Sequence, residues 1–289
     1  MHIGCHGSVW TGKFDEAGLQ TAVSRTAAAG FDLLEIPLMD PDGFNVRAAI
    51  RLLQDHGLAA TASLGLSDRT DISSEDTAVV AAGEALLEKC LRVVSDVGGT
   101  HLVGVIYCAM KKYMEPPSPL GTQHSLDTIG RLAARGQELG VALGIEVVNR
   151  YETNLVNTGR QGLEFVEKVG HDNLCVHLDS YHMNIEESDM FSPVLACRTR
   201  LGYVHIGESH RGYLGSGTVD FDGFFRALAL VGYDGPVVFE SFSSTIVHED
   251  LSRMLGIWRN LWNDPDDLAM HANSFIRSQL QSVASTGMQ

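Results

Sequence analysis

Eight short apolar runs alternate with longer amphipathic segments along this chain, and that alternation constrains its fold more than any other feature. The runs are residues 2–4, 33–38, 59–64, 101–106, 142–148, 175–178, 203–206 and 237–240. Helical periodicity marks 16–28, 46–56, 77–97, 125–139, 160–169, a short stretch at 191–196, and 221–230. A further helical segment, 251–262, follows the last run, and 268–281 reads as a C-terminal addition. Strands separated by helical crossovers pair in parallel. Eight such units in 289 residues imply an α/β fold of the (β/α)8 TIM-barrel type.

Local signals agree with this frame. Gly30, Gly57 and Gly140 each follow a helical pattern, where a left-handed cap favours glycine, and Asp15 and Ser125 are candidate N-caps. A doubly wound sheet lacks its usual mark, since no G-x-G-x-x-G follows the first run. No low-complexity linker interrupts the chain, so residues 1–289 are expected to form a single domain with a C-terminal helical extension.

Charge and cysteine usage narrow the function classes. Lys plus Arg total 21 against 36 Asp plus Glu, a formal charge of −15. Nucleic acid and anionic membrane are therefore disfavoured as partners, because both demand positive charge. The five cysteines are scattered, with no CxxC pair, which argues against a disulfide framework or a structural zinc site. Neither a signal peptide nor a long apolar span is evident, so a soluble cytoplasmic protein is expected.

The last four runs end on residues that do not belong in a buried strand: Glu146 in LGIEVVNR, Asp179 in CVHLDSYH, His205 in GYVHIGES and Glu240 in VVFESF. Singly, each fits a solvated strand end or a pair with arginine. Four in succession point to a metal site, because a buried charge is costly unless it is paired or bound. In a parallel barrel they converge on the C-terminal mouth. Carboxylates and imidazole without thiolate suit Mn²⁺, Mg²⁺ or Co²⁺.

Glu152, His182 and Arg211 follow these strand ends by six, three and six residues, in loops above the metal, where they could bond a polyhydroxylated ligand. His182 could instead cap a helix, and Arg211 could pair with Glu208. The Pro-rich loop at 108–123 reads as a site border or lid. His6, Trp10, Glu35, Leu38 and Tyr107 fit pocket lining or core packing equally well.

The strings EVVNRYETN, HLDSYHMNIEE, VHIGESHRG and YDGPVVFES resemble the ketose 3-epimerases (D-tagatose, D-allulose or D-psicose, and L-ribulose 3-epimerases), which are xylose-isomerase-like TIM barrels. The resemblance runs from IGCHGSVW to MLGIWRNLW. It implies epimerisation of free ketoses at C3, with one divalent metal per subunit and Mn²⁺ its usual occupant. By the same resemblance Glu146, Asp179, His205 and Glu240 are the metal ligands, and Glu146 and Glu240 the acid–base pair. Glu152, His182 and Arg211 then hold the O1–O3 region of the substrate. The chemistry is coherent: C3 lies beside the C2 carbonyl, a cation stabilises the developing enediolate, and two glutamates exchange the proton across its faces.

Two other activities fit the same barrel. Aldose–ketose isomerisation passes through a similar enediolate. A metal-dependent phosphodiesterase of the apurinic-site endonuclease kind would need more histidines and a basic surface. Free sugars are favoured over phosphates because no Gly-rich phosphate cradle is evident, although RGYLGSG after the seventh run keeps that question open. Leu251, Met254, Leu255, Trp258, Leu261 and Trp262 share one helical side, most of which ordinary packing against the barrel explains; the two close tryptophans also suit a subunit interface, and the resemblance implies a homodimer or homotetramer.

Overall fold

In a computed structural model, which describes residues 1–285, eight parallel strands close into a barrel in chain order. They are β1 (Ile3–His6), β2 (Leu33–Pro37), β3 (Ala59–Ser63), β4 (His101–Gly104), β5 (Ala142–Glu146), β6 (Leu174–Asp179), β7 (Leu201–Ile206) and β8 (Val237–Phe239). Around them lie α1 (Glu16–Ala28), α2 (Val46–His56), α3 (Thr77–Asp96), α4 (Pro119–Leu139), α5 (Gly159–Val169), α6 (Ser180–Glu186), α7 (Ser192–Cys197), α8 (Phe221–Leu230), α9 (Glu249–Leu255) and α10 (Pro265–Ser285). The expected TIM barrel and its added C-terminal helix are both present. Among the described residues no helix is long and apolar enough to cross a membrane.

The larger apolar core lies between the strands and the helices, as in the packing of Leu34, Ile36, Leu87, Leu132 and Phe224. A second, smaller cluster of Leu33, Val103, Tyr203 and Val238 fills the barrel itself. Side chains alternate along a strand, so the residues two positions further on from this cluster face the same interior, nearer the C-terminal mouth. Those residues include Glu35, His205 and Glu240. Pairing of Glu146 with His177 and of Asp179 with His205 fixes the levels of β5, β6 and β7. The polar site thus rests on an apolar floor.

Helix ends follow their chemistry, with two departures from the sequence expectation. Asp15 caps α1 by accepting the Gly18 N–H at 2.9 Å, and Gly57 and Gly140 take left-handed conformations as C-caps. Gly30, one residue beyond the cap Ala29, is also left-handed, at φ 80°. The helix expected from Ser125 begins at Pro119, with Ser118 accepting the Gly121 N–H at 3.0 Å. Proline at the first helical turn is compatible with helix, and the run of prolines disguised the start. Ser125 lies inside the helix, buried, and donates to the Tyr107 carbonyl. The segment expected to be helical over 251–262 is helical only over Glu249–Leu255, because Gly256 turns left-handed at φ 68°. Its two tryptophans then part: Trp262 is buried, donating to Ser241 Oγ at 2.9 Å, while Trp258 is 74% exposed at the mouth.

Candidate active site

The last four strands bring Glu146, Asp179, His205 and Glu240 together, with one ligand atom from each within 4.8 Å of all the others. All four are buried. His205 Nδ1 stands 3.5 Å from Glu146 Oε1, 3.7 Å from Asp179 Oδ2 and 3.6 Å from Glu240 Oε1. That nitrogen is buried and has no hydrogen-bond partner in the protein. The other ring nitrogen, Nε2, is 2.8 Å from Glu35 Oε2. Three carboxylates around an unpaired imidazole nitrogen, with a carboxylate behind the ring, form a donor set that fits a hard divalent cation.

The second tier of residues also converges. His182 lies on the short α6, which the sequence reading did not anticipate, and its Nε2 is 3.8 Å from both Glu146 Oε1 and Asp179 Oδ2. Its Nδ1 accepts the Asn149 backbone N–H at 3.1 Å, so the neutral ring carries its hydrogen on Nε2. Arg211 Nη2 lies 3.4 Å from that nitrogen. Both groups are donors, so they do not bond each other; they present hydrogens to one shared space. Glu152, held by Asn149 Nδ2 at 2.8 Å, lines the same cavity.

Arg211 does not pair with the Glu208 carboxylate. Its Nη1 bonds Asp179 Oδ2 at 3.2 Å and also Glu240 Oε2, and its guanidinium lies 3.9 Å over the Tyr181 ring. Arg211 is the only non-glycine residue with positive φ, 60°, among the described residues. Such a conformation is strained and persists where surrounding contacts impose it. Here Ser241 Oγ donates to its carbonyl, while its own N–H reaches the Glu208 carbonyl at 2.8 Å. Glu208 instead spends its carboxylate on the loop, accepting the N–H groups of Ser209, Gly215 and Val219 at 2.8, 2.9 and 3.3 Å.

The charges are strongly perturbed. Burial pushes the Glu146 carboxyl well above the usual carboxylate range, against the pull of His205. Burial likewise raises Glu152 to about 7, with Arg211 opposing it. For Asp179 burial works upward, but Arg211, His182 and His205 outweigh it and hold the group well below its ordinary value. Burial brings His182 down to about 3, so its ring is neutral. Burial also acts to lower His205, yet Glu35 and Glu240 prevail and raise it. A ring that attracts a proton among carboxylates occupies a place suited to a cation.

A cavity of about 1130 Å³ opens above these groups, bordered by His6, Leu38, Met110 and the segment carrying Leu251, Met254 and Trp258. Of the loop at 108–123, only Met110 borders it. Beyond Met110 the loop is tied down, with Lys111 N–H on the Glu152 carbonyl at 2.9 Å and Tyr113 hydroxyl on Asp71 at 3.1 Å. Trp10 and Tyr107 are core residues, donating to Thr26 Oγ1 and to the Glu146 carbonyl. The wall formed by residues 248–261 was not legible in the sequence, since a helical apolar stripe looks the same whether it faces a core or a cavity.

Comparison with known proteins agrees with this geometry. Residues 23–278 match the model of the xylose isomerase-like TIM barrel family. A ketose 3-epimerase from Arthrobacter globiformis is 61% identical over 283 residues, 98% of each chain. The chain belongs to the ketose 3-epimerase family. An L-ribulose 3-epimerase from Methylomonas sp. (strain DH-1) is 50% identical, covering 96% of this chain and 98% of that one. The crystal structure of a Methylomonas D-allulose 3-epimerase in complex with D-allulose superposes with a TM-score of 0.95 at 50% identity, covering 96% of this chain and 97% of that one.

Proposed function

We propose that this protein epimerises free ketoses at C3, with substrates of the L-ribulose, D-allulose/D-fructose and D-tagatose type, and that it uses one divalent metal per subunit, Mn²⁺ first and Co²⁺ or Mg²⁺ as substitutes. The observation that carries the reading is the meeting of Glu146 and Glu240 around one buried donor set with Asp179 and His205. The family relatives, named for L-ribulose, D-psicose and ketose 3-epimerisation, support it.

A cation bound by these four residues supplies Lewis acidity toward a developing oxyanion. The chain's own groups do the rest. Glu146 ends β5 and Glu240 follows the end of β8, and each brings a carboxylate oxygen into the cluster. One removes the C3 proton and the other returns a proton to the opposite face, so their roles exchange when the reaction reverses. Burial raises the Glu146 carboxyl in the metal-free site, and a cation bound there would act against that shift. His182 Nε2–H and the Arg211 guanidinium then direct hydrogens at substrate oxygens that gain negative charge. Glu152, its carboxyl raised by burial to about 7, can accept from or donate to a sugar hydroxyl.

Unphosphorylated sugar is supported by the loop after β7. Its backbone N–H groups at Ser209, Gly215 and Val219, the kind of donors a phosphate needs, are engaged by the Glu208 carboxylate. To test the reading, chelator-stripped protein would be incubated with L-ribulose, D-allulose, D-fructose and D-tagatose, with and without added Mn²⁺, and the products separated chromatographically. A C3 epimer formed only with metal is expected. An aldose product would point to isomerisation instead, and no metal dependence would refute the proposed cation.

A further inference from the structure

The first half of the barrel offers none of the four clustered ligand residues, yet β2 sets a wholly buried carboxylate directly behind one of them. Glu35 Oε2 receives the Tyr203 hydroxyl at 2.6 Å and faces His205 Nε2 at 2.8 Å. Thr61 Oγ1 lies 2.7 Å from the same Tyr203 oxygen. The phenol has one hydrogen, which goes to Glu35, so the Thr61 hydroxyl donates to the phenol. The ring nitrogen in turn donates to Glu35. In the neutral imidazole that leaves the lone pair on Nδ1, the atom without a partner that faces Glu146, Asp179 and Glu240.

We propose that Glu35 is a positioning residue for the cation. Backed by Tyr203 and Thr61, it fixes the tautomer and the angle of the His205 ring and so sets how tightly the site holds a divalent metal. Four strands are joined by this string: β3 through Thr61, β7 through Tyr203 and His205, β2 through Glu35, and β1 through His6. His6 Nε2 stands 3.6 Å from Glu35 Oε1, the one carboxylate oxygen of Glu35 without a hydrogen bond. A carboxylate kept this dry is expensive unless its neighbours are arranged for it. Removing a partner of this kind behind a metal-bound histidine typically weakens metal binding by about 10–100-fold.

The inference rests on the metal reading of the site, and one titration separates the two. Mn²⁺ binding to chelator-stripped protein would be measured calorimetrically for wild type, Glu35→Gln and Tyr203→Phe. Glu35→Gln keeps the shape and removes the charge, and about 10–100-fold weaker binding is expected. Its ketose KM should stay near wild type once metal saturates, with any deficit confined to kcat and eased by added Mn²⁺. Wild-type Mn²⁺ affinity in Glu35→Gln would overturn the proposal. If that variant does not fold by circular dichroism, Tyr203→Phe decides. It removes one donor from Oε2, so binding weakened roughly threefold or more supports the role, and unchanged binding refutes it. A wild-type protein that binds no Mn²⁺ would overturn both the inference and the metal reading beneath it.

Discussion

Glu146→Gln and Glu240→Gln each remove a group that can hold the migrating proton while leaving its volume in place. Each should lower epimerisation by about 10²–10⁴-fold or more, as measured by product formation at saturating metal; near-normal turnover in both variants would refute their assignment as the acid–base pair. The backbone at Gly207 makes a subtler test. A Cβ there would lie 2.9 Å from Arg211 Nη1 and 3.2 Å from Tyr181 Cβ. Gly207→Ala should therefore displace the guanidinium and reduce kcat by up to about 10²-fold without unfolding the barrel. The seven residues singled out from the sequence were legible because four successive apolar runs end on a charged or imidazole side chain and the other three lie a few positions beyond those ends. Glu35 was visible only as possible lining. Its partner His205 is 170 residues away, and local pattern carries no information about which strand faces which across a barrel.

At the scale of elements, the loop following β7 is organised from within by Glu208. Glu208→Ala would orphan three backbone N–H groups and loosen the loop that carries Arg211, while leaving the Glu208 carbonyl that receives the Arg211 N–H. Turnover should fall while Mn²⁺ affinity, proposed to rest on the four strand-end residues and Glu35, changes little; steady-state kinetics beside a metal titration would show the split. The N-cap of α4 gives a purely structural comparison. Ser118→Ala should cost about 1 kcal/mol of stability, seen as a lowered melting temperature with unchanged kcat. Element types were readable from the sequence wherever periodicity was sustained, and α1 and α2 begin and end at the expected residues. The errors fall where local signals compete. Prolines hid the start of α4, a single glycine cut α9 short, and α6 is too brief to show a period.

At the scale of the molecule, metal, protonation and stability are linked. Glu152 is raised to about 7 and Glu146 is raised as well, above an unfolded value of roughly 4.3. The metal-free folded state thus binds protons that the unfolded chain has lost, and its stability falls as pH rises through this range. His6, His101, His177 and His182 are shifted down by burial and act oppositely, but only below about pH 6.5. The melting temperature of stripped protein should therefore decline from about pH 6.5 upward, and Mn²⁺ should restore more at pH 8 than at pH 6, because binding displaces those protons. A pH-independent metal effect would contradict this linkage. A homodimer or homotetramer is the proposed assembly, to be read by light scattering in solution. Proton transfer at C3 is best tested by catalysis in deuterated water with Mn²⁺ and a single ketose, followed by NMR. Deuterium is expected at C3, in the epimeric product and then in recovered substrate; deuterium at C1 or C2 with an aldose formed, or a ketose left unlabelled at C3, would rule out C3 epimerisation by proton exchange.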